Sequence, residues 1–265
     1  MKTHTDSYTR LKQQVIELFD FVLGVGYAMP LLKTRINEIE LGKWQKTPLE
    51  PDFLKRDARS PQEIKRKSIA NYKSKLSNYL VLSSFSYFED YVKSVIAEII
   101  EFHGGKSEFV ERAKRRSNGF MLAKSAEIET HKRKLQEPIK IEPPKTEKYK
   151  KHTNALLKLG YRFPSELFSA YGLQVFIGKT KSLKAQEIPE LLRDALNVGL
   201  DEQLVKDYHS IRDIRNRIAH GEKIRLSVRK AIEIHNKLHE LAIIIDKHLI
   251  EYFYVIEKFT ETTSS

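Results

Sequence analysis

Apolar residues recur at helical spacing over long stretches of this sequence, and this periodicity constrains the fold more than any other feature. Between residues 60 and 105, and again between 201 and 259, apolar side chains fall on one face of a helix. No segment alternates apolar and polar residues as a half-buried strand would, and no internal repeat is visible. We therefore predict an all-α protein, a bundle of long antiparallel helices.

Capping and breaking residues place the ends of these helices. A first helix is predicted from Thr5 to about Val25, ending at Gly24 and Gly26, and residues 27–60 are interpreted as a proline-containing connection with one short helix. Ser60-Pro61-Gln62-Glu63 combines a capping serine, a proline at the first helical position and a glutamate that completes a capping box. The segment from there to Gly104-Gly105 is predicted to be one long helix or two abutting ones.

Two further long helices are predicted at the end of the chain. The first runs from about Asp201 to Ala219 and stops at Gly221, and the second runs from about Ser227 to Phe259. We interpret residues 1–265 as a single helical domain with a basic insertion or linker at about 106–151.

The stretch from Arg112 to Lys151 holds 13 Lys and Arg against 5 Glu, so most of the chain's net charge of +12 lies there. A strongly basic chain attracts polyanions, of which nucleic acid is the most obvious. This stretch is either a mobile basic arm or a hairpin of short helices, and residues 142–145, Glu-Pro-Pro-Lys, have the composition of a linker. The residues predicted to bind RNA are Arg112, Lys114, Arg115, Arg116, Lys132, Arg133 and Lys134; the alternative is a solvated insertion without a ligand.

Several classes of protein are disfavoured by what the sequence lacks. There is no cysteine, so neither a disulfide framework nor a thiolate metal site is available. The N-terminus has no apolar signal core and no run of about 18 apolar residues is evident, so we expect a cytoplasmic protein without a membrane segment. His235 and His239 have zinc-ligand spacing but lack a third ligand, and we interpret them as a solvent-facing pair. No metal or cofactor is therefore predicted.

An arginine lies within an apolar helix face near the end of the chain. On a helical wheel, Leu204, Tyr208, Ile211, Ile214 and Ile218 share one face, and Arg215 falls among them. Because a guanidinium cannot lose its charge by deprotonation, it needs a carboxylate, a phosphate or a wet cleft. Glu89 lies within the apolar face of the upstream helix and matches this need. A buried structural ion pair between Glu89 and Arg215 is the simplest interpretation.

His220 follows five residues after Arg215, where Gly221 ends the helix. Its imidazole is then expected to reach the same cleft, with Asn216 oriented towards the histidine or a substrate oxygen. Arg212, His209 and Arg217 would add hydrogen-bond donors nearby. The alternative is that His220 is a helix cap or an ordinary surface residue.

The segment Arg215-Asn216-Arg217-Ile218-Ala219-His220 resembles the R-N-x-x-x-H motif of HEPN domains, and most closely the RiboL-PSP-HEPN type. The resemblance includes the position of the motif on a penultimate long helix and an acid-bearing helix, Ser-Phe-Ser-Tyr-Phe-Glu-Asp-Tyr, upstream. HEPN domains are all-helical proteins of bacterial defence, toxin–antitoxin and RNA-processing systems, and those with this motif are typically metal-independent endoribonucleases. Some HEPN members only bind or scaffold.

The resemblance implies a catalytic set of Arg215, Asn216 and His220, with Glu89, Arg212 and Arg217 in support. His220 would act as a general acid or base and Arg215 would stabilise the transition-state charge. It also implies a homodimer that brings two copies of the motif into one composite site. RNA is the expected partner, together with an antitoxin or regulatory protein, and a non-catalytic helical module is the alternative.

Overall fold

The computed structural model describes residues 3–43, 60–122, 125–135, 143–161 and 169–256, and none of these residues lies in a β-strand. The predicted all-α fold is confirmed. The chain forms two compact units: unit 1 comprises residues 1–98 and 183–255, and unit 2 comprises residues 99–182 and 256–265. The interpretation of residues 1–265 as one domain stays a prediction.

The α-helices follow one another in the order α1 Asp6–Glu40, α2 Pro61–Glu63, α3 Tyr72–Phe102, α4 Gly105–Leu122, α5 Ala126–Leu135, α6 Pro143–Lys158, α7 Ser169–Thr180, α8 Ile188–Glu190, α9 Glu202–Ala219 and α10 Val228–Tyr252. Two π-helical segments, Ile64–Ile69 and Leu191–Ala195, continue directly from α2 and α8. The core of unit 1 is made by apolar faces of α1, α3, α9 and α10 and the segment around residues 188–198.

Helix α1 is much longer than predicted, because it continues through Gly24, Gly26 and Pro30. Neither glycine takes a positive φ, so neither ends the helix. A glycine inside a helix costs only about 1 kcal/mol, and packing beyond these residues outweighs that cost: Ile36 is fully buried against Ile64 and Ile69. The expectation of a connection was therefore wrong for residues 27–40, and residues 44–59 lie outside the described part of the chain.

The first turn of α1 is fixed by two acidic side chains. Asp246 of α10 is buried and accepts hydrogen bonds from the Thr5 backbone N–H and hydroxyl at 3.0 and 2.7 Å, and its other oxygen lies 2.7 Å from His4 Nδ1. Glu98 of α3 accepts from the backbone N–H groups of Asp6 and Ser7 at 3.0 and 2.9 Å. The N-terminal N–H groups of α1 are thereby satisfied inside unit 1.

The middle of α1 is apolar and exposed. Phe21, Leu23, Tyr27 and Leu31 each leave half or more of their surface exposed. Among the described residues, α1 is long and apolar enough to cross a membrane, by length and composition only. Only 11% of its most apolar 18-residue window is buried. Glu17 and Asp20 interrupt this window, so it does not form an unbroken apolar run in the sequence. The absence of a membrane partner stays a prediction.

The predicted capping box at Ser60 is present. Ser60 Oγ accepts from the Glu63 backbone N–H at 3.2 Å, and the Glu63 carboxylate accepts from the Ser60 backbone N–H at 3.4 Å. The helix that follows is divided, because Ala70 is extended and Asn71 has φ 61°. The prediction of two abutting helices, and not that of one long helix, is therefore correct for this segment.

The last two helices begin as predicted. Asp201 caps α9 by accepting from the Leu204 backbone N–H at 2.7 Å, and Ser227 caps α10 by accepting from that of Lys230 at 3.1 Å. Helix α10 ends at Tyr252, earlier than the predicted Phe259, which lies outside the described residues.

The interpretation of His235 and His239 as a solvent-facing pair was wrong for His235. This side chain is buried, its Nδ1 lies 3.1 Å from Ser84 Oγ, and its ring meets the edge of Phe19. Burial, followed by the proximity of His239, lowers the pKa of His235 to about 4, so the ring is neutral at pH 7. The error arose because α1 covers this part of α10, which the spacing of the two histidines does not reveal.

In unit 2, the basic stretch forms helices. Helices α5 and α6 pack against each other as a hairpin, in which His131 Nδ1 and His152 Nδ1 lie 2.8 Å apart, and α4 packs against α7. The hairpin alternative is therefore correct for the described residues. Helix α6 begins at Pro143, so the interpretation of residues 142–145 as a linker was wrong from that residue onward; proline is favoured at the first position of a helix.

Candidate active site

The apolar face of α9 fixes the orientation of the whole helix in unit 1. Tyr208, Ile211 and Ile218 are buried, and the Tyr208 hydroxyl donates a hydrogen bond to the Ala185 carbonyl oxygen at 2.7 Å. Burial, and secondarily the charge of Glu89, raises the pKa of Tyr208 well above its ordinary value, so this phenol stays neutral. Tyr208 is therefore a structural residue and not a general base.

Arg215 lies at the edge of this face and pairs with Glu89 of α3. Arg215 Nη2 is 2.8 Å from Glu89 Oε2, and the two side chains are only 27% and 15% exposed. The guanidinium carbon also lies 5.2 Å from the centre of the Phe85 ring, one helical turn before Glu89. The carboxylate and the ring hold the guanidinium in a defined place at the border between core and solvent.

Asn216 holds the same guanidinium from the other side. Arg215 Nη1 donates to Asn216 Oδ1 at 3.0 Å. With its oxygen used in this way, the amide keeps its two N–H donors for other contacts. Asn216 therefore orients the arginine, whereas the sequence analysis left open whether it would orient the histidine or a substrate oxygen.

His220 is the C-cap residue of α9, and its backbone N–H still donates to the Asn216 carbonyl at 2.9 Å. The Gly221 N–H bonds to the Ile218 carbonyl at 3.0 Å, and the Glu222 N–H bonds to the Arg217 carbonyl at 3.0 Å. Gly221 has φ 82°, a left-handed conformation that favours glycine. His220 lies at the last turn, about 7.5 Å along the helix axis from Arg215 at 1.5 Å per residue, and its imidazole is exposed.

The three other hydrogen-bond donors that the sequence predicted near the motif divide into two groups. Arg212 Nη1 lies 3.1 Å from His209 Nδ1, and its Nε and Nη2 contact Asp213 Oδ1 at 3.1 and 2.7 Å. Arg217 instead turns to the Glu222 carboxylate at 2.7 Å and is 57% exposed. His209 and Arg212 thus lie on the side of α9 that carries Asn216, and Arg217 does not.

The chain matches a known protein family over most of its length. The sequence profile of RiboL-PSP-HEPN matches residues 52–251, which include Glu89 and the whole segment from Arg215 to His220. The chain belongs to the RiboL-PSP-HEPN family. No curated protein and no solved structure matches the sequence significantly. Helix α1 precedes the region of this chain that the HEPN profile covers.

The HEPN motif residues are thus partly assembled within one chain. The structure brings Glu89, Arg215 and Asn216 into one hydrogen-bonded group and places His220 one and a half turns further along the same helix. Phe85 was not among the site residues predicted from the sequence. Its place one turn before Glu89 on the same face was the signal that it would lie under the guanidinium.

Within the described ranges, no three side chains among His, Cys, Asp and Glu converge as metal ligands. The motif residues themselves offer a guanidinium, an amide and an imidazole.

Six of the seven basic residues predicted to bind RNA are at least partly accessible in unit 2. Arg115, Arg116 and Arg133 are exposed, Lys114 pairs with Glu111 at 2.6 Å, Lys132 pairs with Glu129 at 3.0 Å, and Lys134 is half-buried. The ion pairs of Lys114 and Lys132 lie at the surface, where such pairs contribute little to stability.

Arg112 differs from the other six. Its side chain is only 8% exposed, and Nη2 donates to Glu108 Oε1 at 2.7 Å and to the His103 carbonyl at 3.3 Å. This placement argues against a direct contact between Arg112 and RNA. The residue instead joins the first turns of α4 to the end of α3, a role that a count of charges does not reveal.

Proposed function

We propose that this HEPN protein is a metal-independent endoribonuclease of a prokaryotic toxin or antiviral defence system, acting in the cytoplasm. The observation that carries the proposal is the arrangement on α9: Arg215 is held by Glu89 and Asn216 with part of its fork unused, and an exposed His220 follows at the end of the same helix. A fixed cation and an exposed imidazole on the same helix are groups that suit phosphodiester cleavage.

The chemistry follows from the groups present. His220 removes the proton from a ribose 2'-hydroxyl, whose oxygen attacks the adjacent phosphorus, and the bond to the 5'-oxygen breaks. Arg215 and the amide of Asn216 stabilise the extra negative charge on the phosphorane, while a second imidazole returns a proton to the leaving 5'-oxygen. The products are a 2',3'-cyclic phosphate and a 5'-hydroxyl, and DNA is not a substrate because it lacks the nucleophile.

The need for two proton transfers supports a homodimer. One protomer offers one motif histidine, and a two-fold pairing would place a second His220 and a second Arg215 in the same cleft. In that arrangement, a His220→Ala chain paired with a wild-type chain leaves only one imidazole in the cleft, so an excess of His220→Ala protein is expected to suppress the activity of the wild type. A fully active protein that sediments as a monomer at all concentrations would overturn the composite site.

The decisive experiment incubates a defined RNA with purified protein in excess chelator. Wild type is expected to cleave, whereas Arg215→Ala and His220→Ala lose at least about 100-fold in rate. Arg229→Ala is the matched control, because Arg229 is 91% exposed on α10. If the wild type and both motif variants leave the RNA equally intact, the proposal that the protein is an endoribonuclease is refuted.

A non-catalytic HEPN module is the second candidate, and one observation favours it. The Glu89–Arg215 ion pair is complete within a single chain, as a purely structural pair would be. In that case, Arg215→Ala would lower the free energy of unfolding by a few kcal/mol, because a half-buried carboxylate loses its partner, while RNA would stay intact with every variant. The protein would then bind nucleic acid or a partner such as an antitoxin without cleaving RNA.

A further inference from the structure

A row of polar side chains continues along α9 beyond the motif. At 100° per residue, His209, Arg212, Asn216 and His220 fall within a sector of about 80°. Arg215 lies about 60° from Arg212, towards the core. His209 and Arg212 therefore extend the surface that carries the motif, by about two helical turns in the N-terminal direction.

The contact between His209 and Arg212 determines which nitrogen of the neutral histidine ring carries the proton. A guanidinium has five N–H donors and no acceptor, so in the 3.1 Å contact with Arg212 Nη1 the His209 Nδ1 must be the acceptor. The proton of the neutral ring is then on Nε2, on the far side from Arg212. His209 thus presents an N–H donor away from the arginine.

Arg212 itself is held in place with donors to spare. Its side chain is 21% exposed, and three of its five N–H groups are used by His209 and Asp213 among the described residues. The other two, one on each terminal nitrogen, are available to a ligand. Because Asp213 and His209 already hold the Arg212 guanidinium, the pair is organised before any ligand binds.

The spacing along the helix suits consecutive phosphates. Arg212 and Arg215 are three residues apart, about 4.5 Å along the axis, and consecutive phosphates of a stacked strand advance by about 3.4 Å or more. A strand that lies along α9 with one phosphate at Arg215 can therefore place its next phosphate at Arg212.

We infer that His209 and Arg212 form a subsite for the RNA phosphate adjacent to the scissile one. This inference rests on the proposed function, because it takes the scissile phosphate to lie at Arg215. The subsite binds a phosphodiester through the two remaining N–H groups of Arg212, while His209 accepts from Arg212 and holds the guanidinium in place. It sets how the strand is aligned for cleavage and takes no part in the proton transfers.

The test removes the charge of one phosphate at a time. A short RNA with a single cleavage position is made with a neutral methylphosphonate at the phosphate on either side, and kcat/KM is measured for wild type, Arg212→Ala, His209→Ala and the control Arg229→Ala. With wild type and the control, one of the two replacements is expected to lower kcat/KM by about 10-fold. Arg212→Ala loses a similar factor on normal RNA and nothing further from that replacement.

If a methylphosphonate at either neighbouring position lowers kcat/KM of Arg212→Ala by the same factor as it lowers that of the wild type, the subsite is overturned. The same comparison is made by binding, with RNA that carries 2'-methoxy groups and resists cleavage. Suppose that the wild type does not cleave RNA, but that neutralising one phosphate weakens its binding and has no further effect on Arg212→Ala. In that case the phosphate site stands and the ribonuclease proposal fails. If wild type cleaves but neither assay shows coupling, the ribonuclease stands and the subsite fails.

The protonation of His209 gives a readout that does not depend on RNA. Nitrogen-15 NMR of the wild type is expected to show the proton on Nε2, and Arg212→Ala is expected to shift the ring towards a mixture of both tautomers. A wild-type ring protonated on Nδ1 would contradict the inference even if both variants fold and cleave normally.

Discussion

Unit 1 and unit 2 treat charged side chains in opposite ways. In unit 1, Arg215, Glu89 and Asp246 are half-buried or fully buried and have specific partners on other helices. In unit 2, basic residues such as Lys114, Lys132 and Lys150 lie towards the surface and pair with a glutamate three residues away on their own helix. Positive charge alone therefore does not identify the site, since the more basic unit holds its cations more loosely.

The difference has a physical basis. A partly buried ion has lost much of its hydration, so it must be held by fixed partners and acts strongly on a ligand that enters its cleft. An exposed lysine keeps its hydration and attracts a polyanion from a distance without fixing its geometry. We expect unit 1 to determine the chemistry and the basic helices of unit 2 to determine salt-dependent affinity, and four experiments test that contrast.

The largest expected effect concerns the buried histidine of unit 1. The folded pKa of His235 is about 4, below an unfolded value of about 6.5. As the pH falls from 6.5 towards 4, the unfolded chain takes up a proton and the folded one does not, so the free energy of unfolding decreases, by about 3 kcal/mol in all. Urea unfolding at several pH values measures this, with His235→Gln as the comparison. Identical pH dependence in both proteins would contradict the burial of a neutral ring.

Next is the replacement of Arg215 by lysine, which keeps the charge and removes the planar fork. An ammonium cannot bond Glu89 and Asn216 while also stacking on Phe85, so single-turnover cleavage in chelator is expected to slow by about 100-fold. Arg229→Lys, made at an exposed position on α10, should change nothing. Full activity in Arg215→Lys would mean that the site needs only a positive charge, as unit 2 does.

Arg112 sharpens the comparison from within unit 2. Because it is buried and bonded to Glu108 and the His103 carbonyl, Arg112→Ala is expected to lower the free energy of unfolding by about 2 kcal/mol. Arg116→Ala, at an exposed position on the same helix, should stay within about 0.5 kcal/mol. Urea unfolding measures the free energies of unfolding of both variants and of the wild type. The reverse order would show that Arg112 belongs with the surface cations.

The smallest effect concerns RNA affinity. Replacing Lys132, Arg133 and Lys134 together with alanine is expected to reduce the slope of log affinity against log salt by about 2, at about 0.7 per phosphate contact with a single strand. The catalytic rate at saturating RNA should not change. Fluorescence anisotropy with RNA carrying 2'-methoxy groups measures the slope, and an unchanged slope would remove these residues from the RNA contact.

Several features of the fold could be predicted because they depend on neighbours in sequence. The capping residues Ser60, Asp201 and Ser227 and the stop at Gly221 act within one helical turn, so the sequence located them to within a residue or two. The continuation of α1 through Gly24 and Gly26 could not be predicted in this way, since it depends on the burial of Ile36 against a segment about 30 residues later.

For the site, the sequence by itself determined which groups α9 carries and their order, because the helical repeat fixes the positions of Arg215, Asn216 and His220 relative to one another. It also indicated that Arg215 needs an anion, since a guanidinium on an apolar face cannot lose its charge by deprotonation. Only the tertiary structure decided that Glu89 supplies it, that Asn216 holds the arginine, and that Arg112 and His235 are buried. Those outcomes depend on which helices meet, and burial and pairing are set by packing between segments far apart in the chain.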